Sequence, residues 1–260
     1  MDRRDLPIAF FDSGVGGISV LKEAVALMPA EQYLYFGDSA NAPYGTRKIE
    51  EIRALTLEHA AHLYAQGIKA LVIACNTATS AAIRPLREIY TDIPVIGIEP
   101  ALKPAALMAQ HPSVIVMATP LTVAGDKFRD LLGKYSDRAD VIPLACPGLM
   151  EYVEQGCLDT PQVRQYLQDL LTPALTEHHP DAIVLGCTHY PFVRPLIRQI
   201  AGPSVRIFDG GAGTARELQR RLRESGFLSA HTTPGSVQIK DSLPEKTALC
   251  RMLLETASIS

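Results

Sequence analysis

Between residues 8 and 208, eight short apolar, β-rich runs alternate with segments of helical period, and this alternation restricts the fold more than any other feature. A strand that leaves a sheet, crosses back in a helix and rejoins in parallel is the unit such a pattern encodes. The predicted strands are 8–11, 33–36, 70–74, 95–98, 114–118, 141–144, 182–185 and 205–208. Between the second and third, residues 47–66 read as a helix with a broad apolar stripe of Ile49, Ile52, Leu55, Leu57, Ala60, Ala61 and Tyr64, stopped by Gly67. The fold class is α/β.

The runs also repeat. Asp12 pairs with Thr119, Asp38 with Cys146, Cys75 with Cys187 and Glu99 with Asp209, at offsets between 107 and 112 residues. The clearest match is LVIACNTAT with IVLGCTHY, each a buried strand that ends in cysteine and then in hydroxyl or amide residues able to start a helix. A near-constant offset of this kind points to a duplicated unit. With 260 residues, 47% of them hydrophobic, the chain can bury two modest cores. The expected domains are 1–98 with 209–260, carrying Cys75, and 99–208, carrying Cys187. The helical stretch GGAGTARELQRRLRESG after Asp209 is expected to return to the first domain. A strand near 237–240 and a helix near 246–254 should cover it and carry no chemistry.

Composition removes several function classes. A net charge of -3 with dispersed lysines and arginines gives no basic stripe to neutralise a phosphate backbone, so nucleic acid is not an expected partner. The longest apolar stretches, such as 71–75, are of strand length, far short of the roughly 20 residues a membrane span needs. The start, MDRRDLPIAFFDSG, has no signal-peptide core, and a cytoplasmic location is expected. Five cysteines without a CxxC pair argue against both a disulfide framework and a zinc site, which leaves thiols for chemistry.

In open parallel sheets ligands bind beyond the carboxyl ends of the strands, and the polar clusters of this sequence fall there. Asp12-Ser13-Gly14-Val15-Gly16-Gly17 is a glycine-rich strand-to-helix turn. A dinucleotide reading is disfavoured, because Ser19 occupies the third glycine position and Asp12 would face the pyrophosphate. Residues 37–45, GDSANAPYG, mark a sharply turning loop with exposed amides. Cys75-Asn76-Thr77 and Cys187-Thr188-His189 each place a thiol at the predicted mouth of a helix, where its pKa falls. Taken singly, each has a bland reading: a buried cysteine as a small hydrophobe, Asp12 as a helix cap, His189 as a core histidine, Glu154 as a solvated carboxylate. Two thiols at matching positions of a duplicated fold favour a pair of acid/base groups facing one ligand.

The set FDSGVGG, GDSANAPYG, ACNTATS, CPGLMEYVEQG and LGCTHYP, followed by DGGAGTAREL, resembles the glutamate racemases of the aspartate/glutamate racemase superfamily over most of the chain. The resemblance implies two pseudo-symmetric domains, each a mostly parallel sheet flanked by helices, with the active site in the cleft between them. It implies interconversion of L- and D-glutamate by two-cysteine proton transfer, with no cofactor and no metal, supplying D-glutamate for peptidoglycan. Cys75 would take the proton from the D-enantiomer with help from Asp12, and Cys187 from the L-enantiomer with help from Glu154 and His189. Substrate contacts would come from Ser13, Asp38, Tyr44, Gly45, Asn76, Thr77, Thr122 and Thr188. A homodimer is also implied. The chain departs from the family at Ser39 and Asn41, where Thr and Arg are common, and at Leu121, where glycine is usual, although the Thr122 hydroxyl is kept. Cys146, Cys157 and Cys250 match no catalytic position and read as packing residues.

Such a reaction sets its own requirements. The carbanion left by α-proton removal lies next to a carboxylate, and no motif supplies an electron sink, so preorganised donors in a water-excluded site must carry the charge. One thiol must be ionised while its partner holds a proton. Contact on both faces of the α-carbon puts the sulfurs roughly 7 Å apart, too far for a disulfide. Three other readings stay open at this stage: a racemase for aspartate or another acidic amino acid, a Cys187–His189 thiol hydrolase, and a non-catalytic amino-acid-binding protein. A substrate panel, acyl-enzyme trapping, and binding without turnover would reveal each in turn.

Overall fold

A computed structural model describes residues 2–256, so residue 1 and the end of the expected 209–260 segment lie outside the described residues. The strands are β1 (Ile8–Asp12), β2 (Tyr33–Gly37), β3 (Ala70–Ile73), β4 (Val95–Gly97), β5 (Ser113–Ala118), β6 (Asp140–Ala145), β7 (Ala182–Leu185), β8 (Arg206–Asp209) and β9 (Val237–Asp241). They form two sheets, ordered β4-β3-β1-β2-β9 and β6-β5-β7-β8, with every pairing parallel. Two compact units hold them: one takes the chain up to Glu99 and again from Gly211, the other takes Pro100–Gly210.

All residues of β1, β3 and β7 are buried, as strands covered by helices on both faces require, and this is why they read as unbroken apolar runs rather than alternating ones. Read from its other end, the second sheet runs β8-β7-β5-β6, the same order as β4-β3-β1-β2. The duplication seen in the sequence is therefore a duplication of topology. Pro143 interrupts β6, where an edge strand tolerates a residue without an N–H.

The fourth helix of each repeat is exchanged. The short helix Leu102–Ala106 follows β4 but packs on β5, β7 and β8, in the core with Val114, Val116, Ala182 and Val184. The helix Gly211–Glu224 follows β8 but packs on the helix Ile18–Leu27 and on β4. Its Ala215, Leu218 and Leu222 are buried there, at helical spacing. β9 adds a fifth strand beside β2, in register from Tyr33↔Val237 to Gly37↔Asp241.

The helix Ile49–Ala65 differs from expectation in its face. Its buried residues are Ile52, Thr56, Ala60 and Leu63, while Ile49, Tyr64 and Ala61 are exposed. Thr56 is accepted in the core because its hydroxyl donates to the Ile52 carbonyl, 2.7 Å away. At the opposite end of this sheet from the polar loops, the Lys69 ammonium lies 2.5 Å from Glu31, with both side chains buried. Lys69 also donates to the Arg4 carbonyl at 2.6 Å, and Glu31 accepts the Ser229 N–H at 2.8 Å. These extra bonds offset the desolvation that a buried pair must bear.

Candidate active site

In the first unit, β1 ends at Asp12, β2 leads into Asp38, and β3 is followed two residues on by Cys75. Cys75 is the N-cap of the helix Asn76–Ile89, and its sulfur accepts the Ala78 N–H at 3.4 Å. The Ser13 hydroxyl donates to the same sulfur at 3.3 Å. Two donors on a buried sulfur at the start of a 14-residue helix favour the thiolate. Asp12 does not cap the next helix: the cap residue of Ile18–Leu27 is Gly17, while Asp12 accepts the Gly14 N–H at 3.0 Å. A Cβ on Gly17 would lie 2.6 Å from the Asp12 Cβ, so only glycine lets the turn close over this carboxylate.

Asn76 and Thr77 follow Cys75, both buried. The Asn76 Oδ1 is buried without a hydrogen-bond partner, a cost of about 1–3 kcal/mol that a ligand donor would relieve. Tyr44 and Gly45 lie in the 3-10 turn Tyr44–Thr46. The buried Tyr44 hydroxyl donates to Asp38 at 2.7 Å, and burial, then the bond to Asp38, raises its pKa. Burial works against the Asp38 charge, yet His59, Tyr44 and Asn41 together hold its carboxyl below the usual range.

In the second unit, Cys187 follows β7, and a Cβ on the intervening Gly186 would meet the Met117 carbonyl at 2.7 Å. Cys187 is not at an α-helix N-terminus, contrary to expectation. A 3-10 turn, Tyr190–Val193, comes first, and the helix begins only at Arg194. Pro191 and Pro195 lack the N–H groups that an α-helix from Cys187 would need, so the turn closes by Tyr190 N–H to Cys187 O, 3.1 Å. Side chains replace the missing dipole: His189 Nδ1 lies 3.5 Å from the Cys187 sulfur, and His189 Nε2 2.8 Å from Glu154 Oε1.

Glu154 comes from the helix Leu149–Glu154 and is buried, so it is not a solvated carboxylate. Burial opposes a charge on His189, but the Cys187 sulfur and then Glu154 outweigh it and hold the ring's pKa well above the ordinary histidine value. His189 is therefore expected to hold its proton to a higher pH than an ordinary histidine, read from its ring C–H resonances by NMR. Glu154→Gln should lower that titration, because it removes a carboxylate that favours the charged ring. A titration unmoved by this change would separate Glu154 from the proton on His189. Thr122 and Thr188 are buried in this unit; Thr119 caps the helix Pro120–Ala124 and donates to the Thr122 hydroxyl at 2.9 Å. Cys146 sits nearby with its thiol pushed up to about 12, by burial first and then by the charge of Cys187.

Two contributors escaped the sequence reading. His59 reaches Asp38 from the helix Ile49–Ala65; its spacing of seven from the buried Ile52 was the available signal. The tail also reaches the 37–45 loop: Ser39 donates to Asp241 at 2.9 Å and the Ala40 N–H to the Ser242 hydroxyl at 2.9 Å. Pairing of β9 with β2 produces these contacts, and no local motif announces a parallel edge strand from the far end of a chain.

A duplicated parallel-sheet fold, with one buried thiol served by a hydroxyl and a helix N–H and another by an imidazole and a carboxylate, defines an α/β enzyme of thiol acid/base chemistry. Residues 16–218 match the family model Asp/Glu/Hydantoin racemase, and the chain is 50% identical over 248 residues to a glutamate racemase of Clostridium perfringens, 95% of each chain. The chain belongs to this racemase family, among its glutamate racemases. Solved structures agree: a glutamate racemase of Bacillus anthracis matches at 33% identity and TM-score 0.83, covering 92% of this chain and 89% of that one. One from Francisella tularensis, in complex with D-glutamate, matches at 28% identity and TM-score 0.84, covering 97% and 95%. Among the described residues, no helix is long and apolar enough to cross a membrane.

Proposed function

We propose that this chain interconverts L- and D-glutamate by proton transfer between Cys75 and Cys187, with no cofactor, and supplies D-glutamate for peptidoglycan. The observation that carries the reading is the pair of buried thiols at equivalent strand ends of a duplicated sheet, each with its own polar helpers. From D-glutamate, the Cys75 thiolate takes the α-proton and the Cys187 thiol delivers one to the opposite face. From L-glutamate the roles reverse. Ser13, the Ala78 N–H and Asp12 tune Cys75; His189 and Glu154 tune Cys187.

The unpartnered Asn76 Oδ1 is suited to the substrate ammonium, and the hydroxyls of Thr77, Thr122 and Thr188 with the amides of Ser13, Tyr44 and Gly45 are suited to the two carboxylates. Donors on the α-carboxylate spread the carbanion's charge. Exclusion of water from the site strengthens these donors. The enzyme works in the cytoplasm as a homodimer. Circular dichroism with each enantiomer of glutamate, and with no cofactor added, tests this reading. Both should converge on the racemate, and turnover of aspartate in preference to glutamate would replace the substrate assignment.

A further inference from the structure

His59 and Asp38 form a polar pair whose place in the first unit has a use beyond packing. The His59 ring lies between Phe11 and Phe36, with centroids 5.5 and 5.0 Å away, so its position is set by the sheet. Its buried Nε2 is 3.0 Å from Asp38 Oδ2, an ion-pair contact, and makes no hydrogen bond of good geometry. Asp38 is fully buried, and its oxygens are taken by protein: Asn41 Nδ2 at 3.0 and 3.1 Å, the Tyr44 hydroxyl at 2.7 Å, and His59. A carboxylate so occupied has little left to give a ligand. It would also repel a substrate that itself bears two carboxylates.

We infer that Asp38 does not touch substrate, and that His59 and Asp38 are positioning residues that hold Asn41 and Tyr44, and with them the 38–46 loop, in the shape that binds it. The kinetic part of this inference rests on the glutamate racemase reading. Tyr44 is the link to the chemistry, since its phenol lies within reach of the charges of Cys75 and Asp12. His59 anchors the carboxylate from one side while the loop's own residues grip it from the other. Loss of the anchor leaves a buried charge short of a donor, and the loop relaxes to bring in water.

Two readouts test this, one of them independent of turnover. His59→Phe keeps a ring between Phe11 and Phe36 but removes the nitrogen. It should speed amide hydrogen exchange in residues 38–47 by about tenfold without changing exchange in β1 and β3. KM for both enantiomers should rise about tenfold with kcat nearly constant, because a group that binds ground and transition states alike affects KM alone. His59→Gln, which restores an N–H donor, should recover most of both effects. His59→Phe with Tyr44→Phe should cost less than the product of the two single effects, since they share one carboxylate. Unchanged loop exchange in His59→Phe, or fully multiplicative effects, would overturn the inference. If wild-type enzyme fails to racemise glutamate while His59→Phe still loosens the loop, the substrate assignment falls and the positioning pair stands.

Discussion

Cys75→Ala and Cys187→Ala are each expected to lower racemisation in both directions by at least about a thousandfold. Inversion needs an acceptor on one face of the α-carbon and a donor on the other, and each variant lacks one of them. Neither change should unfold the protein, because both side chains are small and buried at strand ends, where alanine fits without a clash. The variants should differ in what they retain. With Cys187 gone, Cys75 can still remove and return the α-proton of D-glutamate, so solvent exchange without inversion persists for that enantiomer. With Cys75 gone, the same holds for L-glutamate. Near-normal turnover in either variant would show that the paired-thiol mechanism is wrong.

The second large effect is the fate of the α-proton in heavy water. When L-glutamate is incubated with wild-type enzyme and sampled early, newly formed D-glutamate should carry deuterium at the α-carbon almost completely. The unreacted L-glutamate should remain largely protiated. The thiol that removes the proton is not the one that delivers its replacement, and the delivering thiol has already exchanged with solvent. Starting from D-glutamate, the same asymmetry should appear in reverse. A single base serving both faces would return some of the original proton to product or label substrate and product together. Early deuterium at similar levels in both enantiomers, measured by proton NMR of the α-position, is the result that would defeat separate roles for Cys75 and Cys187.

Much of this organisation is legible in the sequence because it rests on local signals. β1, β3 and β7 are buried on both faces and so read as apolar runs with sharp ends. The duplication shows as a fixed offset because both halves keep the same strand order. Other features depend on contacts between distant segments and leave no local trace. The prolines after Cys187 were visible, yet their effect on the helix start is clear only from the turn they force. The helix Ile49–Ala65 was read by its apolar residues, whereas its inner face is set by what the sheet can accept, including Thr56 and His59. The pairing of β9 with β2 brings Asp241 beside Ser39 across some 200 residues of chain, a distance that hydrophobic periodicity does not span.

The exchanged helices and the late edge strand bear on how the polypeptide completes itself as it is made. The second unit is one continuous stretch, Pro100–Gly210, and has all its strands once β8 has emerged. The first unit begins earlier but lacks the cover of its helix Ile18–Leu27 until Gly211–Glu224 arrives, and lacks its outer strand until residue 241. Domains made first usually fold first during synthesis. Here the order is expected to invert: the later-made half closes around its own core while the amino-terminal half waits on the ribosome with an apolar helix face and a sheet edge still open. Chaperone demand during translation should therefore concentrate on the first hundred residues, and should end when the last strand docks.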